Sequence, residues 1–243
     1  MSAEAYIGTS GFYYEHWKGV FYPEELPKKE YLRFYMHHFN TVEMNATFYH
    51  LPKAKTVQHW LEVAQEGFYY TIKAYRGITH YKKLKDAKDE LFRFMHLIKP
   101  LKAHLGVILF QLPPSLHKDL ELLASFLHIL PHGYRYAFEF RHNSWYEEEL
   151  FELLRRYGVA FCIHDFGKKS TPIVQTAHFV YIRFHGTNGR YVGSYDDATL
   201  LWWAKRIESF LHNNSDVYAY FNNDFGGAAV QDAKRLLSFL HAE

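Results

Sequence analysis

Cysteine is almost absent from this chain: Cys162 is the only one in 243 residues. That excludes an internal disulfide and a zinc site built on thiolates, and it fits a reducing compartment. Cys162 lies in the apolar run FCIHD, the setting of a buried structural thiol rather than a reactive one. Long apolar stretches are missing as well. No run approaches the ~20 residues of a membrane span, and the opening MSAEAYIGTSGF has neither a basic region nor an apolar signal core. The expected location is the cytoplasm, with no membrane partner. Nor is there an excess of one charge: 28 Lys and Arg stand against 26 Asp and Glu, a formal net charge of +2. A field that weak predicts no nucleic-acid binding without a local patch. The 17 histidines form no short metal-type cluster such as H-E-x-x-H, and no G-x-G-x-x-G follows the first strand.

What is abundant is core material, 48% hydrophobic and 19% aromatic. It is distributed as eight β-rich runs bounded by turn residues: AYIGTS, TVEMN, FYYTIKA, LGVILFQL, YRYAFEF, VAFCIHD, FVYIRFHG and DVYAYFNND. Most are separated by segments such as DLELLASFLHIL and ATLLWWAKRIESFLH, where apolar residues repeat at three and four. Near-continuous apolar strands alternating with amphipathic helices call for a parallel sheet covered by helices, and eight such units close most simply into a barrel. The fold predicted is α/β, a single (β/α)8 TIM barrel forming one domain over residues 1–243, a length close to the ~250 of that fold. FGKKSTPIVQTAH is short and contains Pro172, so the sixth helix is expected to be short or missing. Residues 11–29, with Trp17, Phe21 and Tyr22, read as a lid-like insertion after the first strand.

Strand side chains alternate sides, so one parity faces the barrel axis. In YAFEFR, Glu139 and Arg141 oppose Phe138 and Phe140; in YIRFHG, Arg183 and His185 oppose Ile182 and Phe184. The same reading turns inward Glu43, Asn45, Thr71, Lys73, Gln111, Asp165 and Asn222, each near the carboxyl end of its strand, where active sites of this fold are built. An internal salt-bridge network is the competing explanation, because buried charges persist only when paired.

The stretches IGTSGFYYEHWKGVFYP, FNTVEMNATFYHLP, the ITH after Lys73, LFQLPP, EFRHNSW, RFHG and YFNND resemble the YecE-like family, domain of unknown function 72. One departure is FYYEHW, where relatives more often carry a tryptophan soon after Ser10-Gly11. The resemblance implies a TIM barrel, sometimes likened to that of endonuclease IV, and no settled activity. Its motif residues that fall on inward strand ends are Glu43, Asn45, Lys73, Gln111, Glu139, Arg141, Arg183, His185 and Asn222.

Several chemistries compete for these residues. A glycosidase needs two flanking carboxyls, which Glu139 with Glu43 or Asp165 supplies, yet the fourth and seventh strands carry Gln111 and Arg183 instead of acids. A divalent metal would call on Glu43, Glu139, Asp165 and His185, but Lys73, Arg141 and Arg183 compete with a cation, so metal is disfavoured and no cofactor is evident. A Schiff base on Lys73 is opposed by the neighbouring carboxylates.

Anion binding uses the most residues. In that reading Glu139, Lys73, Glu43 and Asp165 are the catalytic candidates. Asn45, Gln111, Arg141, Arg183, His185, Asn222, Asn223 and Trp145 bind the substrate, a small phosphorylated or carboxylated metabolite. The alternative is a nucleic-acid binder or processor, with phosphates on the basic stretch AYRGITHYKKLKDAK and bases stacked on exposed Trp17, Trp145 and Tyr81.

Overall fold

The structure, a computed structural model, describes residues 2–166, 169–188 and 191–241. In chain order the elements are β1 (Ala5–Thr9), α1 (Tyr31–Met36), β2 (Thr41–Met44), α2 (Ala46–Tyr49), α3 (Ala54–Val63), β3 (Tyr69–Lys73) and α4 (Lys88–Ile98). There follow β4 (Leu105–Gln111), α5 (Leu120–His128), β5 (Tyr136–Glu139), α6 (Glu148–Tyr157), β6 (Ala160–Phe166) and the two-residue β7 (Lys169–Ser170). The chain finishes with β8 (Phe179–Phe184), α7 (Asp197–His212), β9 (Asp216–Phe221) and α8 (Ala228–Leu240). The strands pair in the order β1-β9-β8-β6-β5-β4-β3-β2, with β7 antiparallel on β6. Eight parallel strands alternating with helices in that order are the α/β, TIM-barrel-like fold that the periodicity predicts. The sixth helix is missing as expected: among the described residues, no helix lies between β7 and β8.

The chain divides into two compact units. The first comprises Met1–Glu43, Ile163–Ile173 and His178–Glu243. Here β9 lies between β1 and β8, with Gly8 level with Tyr220 and Tyr220 level with Arg183. Residues level in a parallel ladder point to the same face, so Tyr181, Arg183, Tyr220 and Gly8 share one side. Gly8 is there because β2 passes close by: a Cβ on it would lie 2.3 Å from the Thr41 carbonyl oxygen and 3.0 Å from the Tyr35 hydroxyl. That hydroxyl is itself in use, accepting the Thr9 amide at 2.8 Å.

The 11–29 insertion belongs to this unit and packs onto the turn that follows β9. Trp17 is fully buried, its indole N–H donating to the Asp224 carbonyl at 2.9 Å. Tyr22 stacks on Tyr31 with ring centroids 3.9 Å apart. Val20 lies over Gly227, the residue that opens α8 with φ of 77°; a Cβ there would come 2.7 Å from the Val20 side chain. The start of the last helix therefore carries an apolar cover.

The second unit comprises Met44–Cys162 and Val174–Ala177. Its ladder sets Lys73 level with Leu109, and Gln111 level with Glu139. Under the helices, Phe110 stacks on Phe138 at 5.0 Å and meets Phe126 edge-on at 5.4 Å. The α5 helix starts where the Asp119 carboxylate accepts the Leu122 amide at 2.9 Å. The α6 helix stops at Gly158 with φ of 63°.

The Gly8 contact gives a first expectation. Gly8→Ala must push apart backbone atoms of β1 and β2 rather than the tip of a flexible side chain, so it should cost about 1–3 kcal/mol. Urea unfolding of the purified variant measures this; a midpoint equal to that of the parent chain would mean that the strands separate without cost.

Candidate active site

In the first unit, the inward face gathers around a buried carboxylate. Glu43, fully buried on β2, accepts from the Ser10 hydroxyl at 2.7 Å, the Tyr181 hydroxyl at 2.5 Å and the Arg183 guanidinium at 2.7 Å. Both side chains of the Glu43–Arg183 pair are 0% exposed. Burial, then the Glu43 charge, pushes the Tyr181 phenol well above its ordinary range, so it stays a donor at any ordinary pH. These are the expected residues on the expected face, but they answer to the internal salt-bridge reading: the Glu43 oxygens are occupied, and the Arg183 charge is balanced. Ser10 and Tyr181, which complete the network, were not among the sequence candidates.

Asp165 is displaced from its predicted place. Its carboxylate accepts the His185 amide at 2.8 Å and the Tyr195 hydroxyl at 2.6 Å. Tyr195 packs on Phe184 and Phe221 with centroids 5.5 and 5.9 Å away, on the side where Phe184 opposes Arg183 and His185. Asp165 is therefore on the helix side, and burial raises its pKa. The residue that joins His185 is its neighbour, His164, buried with its ring 5.6 Å from the His185 ring. The Asn222 amide meets His185 Nδ1 at 3.3 Å, as a shared face requires. Two buried imidazoles are two of the three or four ligands that a zinc ion takes. Asn223 is turned away into a structural role, since its amide donates to the Gly193 carbonyl and to the buried Asp232, both at 2.8 Å. Asp232 also receives the Tyr195 amide and the Ser194 hydroxyl.

In the second unit the register places Lys73, Gln111 and Glu139 on one face. Arg141, two residues beyond Glu139, closes an ion pair with it, the Glu139 side chain being fully buried and that of Arg141 13% exposed. Tyr146 feels both charges: burial raises its pKa to about 12, Glu139 adds to the rise and Arg141 opposes it. The Lys73 ammonium sits 4.2 Å from the centre of the Phe48 ring, held there by the turn after β2, in which Thr47 donates to the Lys73 carbonyl at 2.7 Å. Asn45, which begins that turn, keeps its side-chain oxygen buried and unbonded among the described residues.

Sequence reasoning passed over the residue at the centre of this group. His80 lies on a single π-helical turn, Gly77–Tyr81, after β3, a local distortion frequent at functional sites. Its ring meets Phe48 edge-on at 4.9 Å, and its Nδ1 is 2.9 Å from the Thr79 hydroxyl. Burial, then the positive charges of Lys73, Arg141 and Arg76, lower its pKa to about 4, with Glu139 alone opposing them. His80 is thus a neutral imidazole at pH 7, ringed by more cation than anion.

The aromatic residues assigned to base stacking divide. Tyr81 is exposed as expected, at 65%, but Trp17 and Trp145 are buried. Trp145 spends its indole N–H on the Leu116 carbonyl at 2.8 Å and packs on Phe140. Large apolar surface outweighs a loop position, so Trp145 packs inward rather than standing as an exposed platform. In the basic stretch, Lys82 pairs with Glu90 at 3.0 Å and bonds the Asp86 carbonyl at 2.7 Å.

The family described as "Protein of unknown function DUF72" matches residues 6–243 of this chain. The chain is 28% identical to the UPF0759 protein YunF of Bacillus subtilis, over 98% of this chain and 95% of that one. It is 34% identical to the UPF0759 protein YecE of Escherichia coli, over 47% of this chain and 44% of that one. Among solved structures, a DUF72 family protein of Thermotoga maritima superposes with a TM-score of 0.90 at 32% identity, covering 98% of this chain and 99% of that chain.

The buried pair can be tested without a substrate. Removing one partner, by Glu43→Gln or Arg183→Met, should destabilise the protein by about 3–5 kcal/mol, since each leaves an uncompensated buried charge. The double variant should cost less than the sum of the two. Chemical denaturation of the four proteins gives the coupling; additive costs would mean that Glu43 and Arg183 act independently.

Proposed function

The chain belongs to the DUF72 family, and from that premise we propose that it is an enzyme acting on a small phosphorylated or carboxylated metabolite, held by Lys73, His80 and Arg141 with Glu139 as the proton-transfer group. The reading rests on one observation above the others, the neutral His80 among three cations and one carboxylate. Cations crowded against an imidazole are a costly arrangement unless something negative joins them. An anion on Lys73 and Arg141 lowers the local positive potential and returns His80 toward its usual pKa, so binding itself turns His80 into a competent acid or base near pH 7. Glu139, paired with Arg141, is the carboxylate that would take the substrate proton. Gln111, level with Glu139, and Asn45 supply neutral amides suited to hydroxyl or carbonyl groups of the ligand. A nucleic-acid ligand has less to rest on, because Trp17 and Trp145 are buried and Lys82 is already paired with Glu90.

The titration of His80 is the test. Without ligand, its NMR signals should remain those of the neutral ring down to about pH 4. Saturating inorganic phosphate should move the midpoint upward, and so should Lys73→Met, which deletes a cation. The sign for stability follows from the same shift. The unfolded chain takes up the proton at its ordinary pKa near ~6.5 and the folded one only near 4, so stability is full above that range and drains as pH falls through it. His80→Asn should remove that part of the pH dependence. If phosphate left the His80 midpoint unchanged and did not raise the melting temperature, the anion site would be abandoned.

A further inference from the structure

We propose that a second pocket, in the first unit between the carboxyl end of β6, the chain that follows it and the start of α7, binds a neutral, hydroxyl-bearing ring of monosaccharide size. This proposal is independent of the anion site, since it uses other residues and the opposite ligand chemistry. The cavity has a volume of about 490 Å³, within the ~300–1,000 Å³ of small-molecule sites. Among the described residues, the connection between β6 and β8 holds the short strand β7 and irregular chain but no covering helix, so Ser170, Thr171 and Ile173 form one wall and the first turns of α7 form another.

The lining selects against charge. Among the described residues that line this cavity there is no lysine or arginine, while one carboxylate, Asp165, and one imidazole, His164, are present. An anion would face the charge of that carboxylate; a neutral donor meets an acceptor. Asp165 already accepts from the His185 amide and the Tyr195 hydroxyl, and its two oxygens retain lone pairs for further donors. Thr171 accepts the His164 amide at 3.0 Å and keeps its own hydroxyl proton to give. Ser170 and Thr199 add two more hydroxyls, the Thr199 amide being the one capped by Asp196 at 2.7 Å.

Against these stands an aromatic platform. Trp202 lines the cavity and is 45% exposed, whereas Trp203 beside it is buried against Phe184, with centroids 5.2 Å apart. The Arg206 guanidinium lies 4.1 Å from the centre of the Trp202 ring and fixes its orientation. A saturated ring with C–H groups on one face and hydroxyls around its rim fits such a site: the C–H face covers the indole, and the rim reaches carboxylate and hydroxyl partners. A purely apolar ring would leave those polar groups unmatched.

The experiment titrates the protein with D-glucose, D-galactose and myo-inositol, using D-glucuronate and indole as counter-probes, and follows tryptophan fluorescence together with the Trp202 indole N–H signal by NMR. Saturable binding of at least one neutral probe is expected, with Trp202→Ala weakening it by about tenfold. Thr199→Val, which keeps the helix-capping amide and the side-chain shape, should weaken it by a smaller factor. Both positions are partly exposed, and an unchanged melting temperature verifies that each variant is folded. Binding of indole without any of the three neutral probes overturns the proposal, as do glucuronate bound as tightly as glucose, binding unaffected by both substitutions, and no saturation by any probe.

Discussion

The carboxylate of Glu43 is the constraint around which the first unit is arranged. A fully buried charge must be met by donors, and here three of them come from β8 and the end of β1: Ser10, Tyr181 and Arg183. That requirement fixes which parity of each strand faces inward and which level of β8 stands beside β2. It also accounts for the tight approach of β1 to β2, because Ser10 is bridged to Glu43 along the backbone and Gly8 must clear Thr41. An aliphatic layer would have packed the same space without specifying the alignment so narrowly.

The two units differ in chemical character. In the first, the buried charges of Glu43 and Arg183 cancel as a pair, and the cavity described there is lined by hydroxyls, indoles, one imidazole and one carboxylate. In the second, Lys73, Arg76 and Arg141 exceed Glu139 around His80. One environment offers hydroxyl and aromatic surface, the other an excess of positive charge.

Much of this was legible in the sequence because strand periodicity is strict. Alternation placed Lys73, Gln111 and Glu139 on one face, and the ladder agrees. The same rule erred at Asp165, since VAFCIHD ends in two adjacent polar residues and a frame shifted by one exchanges the faces of both. Burial of Tyr195 decided the matter, and no local pattern announces that. His80 was hidden for a different reason: it lies beyond Lys73 on an irregular turn, where neither the strand nor the helix period applies. Trp145 was misplaced because EFRHNSW looks like a loop, and only the partner carbonyl of Leu116 reveals that the indole turns inward.

The lone cysteine has a consequence of its own. Cys162 is fully buried in β6 and forms no disulfide, so a thiol reagent in solution can reach it only when that strand is uncovered. Its reaction rate is then a clock for how often β6 opens, set by the opening equilibrium when closing is fast and by the opening rate when it is slow. With no second thiol to confuse the signal, the protein carries a single-site gauge of its own breathing, readable in a mixture and without any knowledge of its substrate.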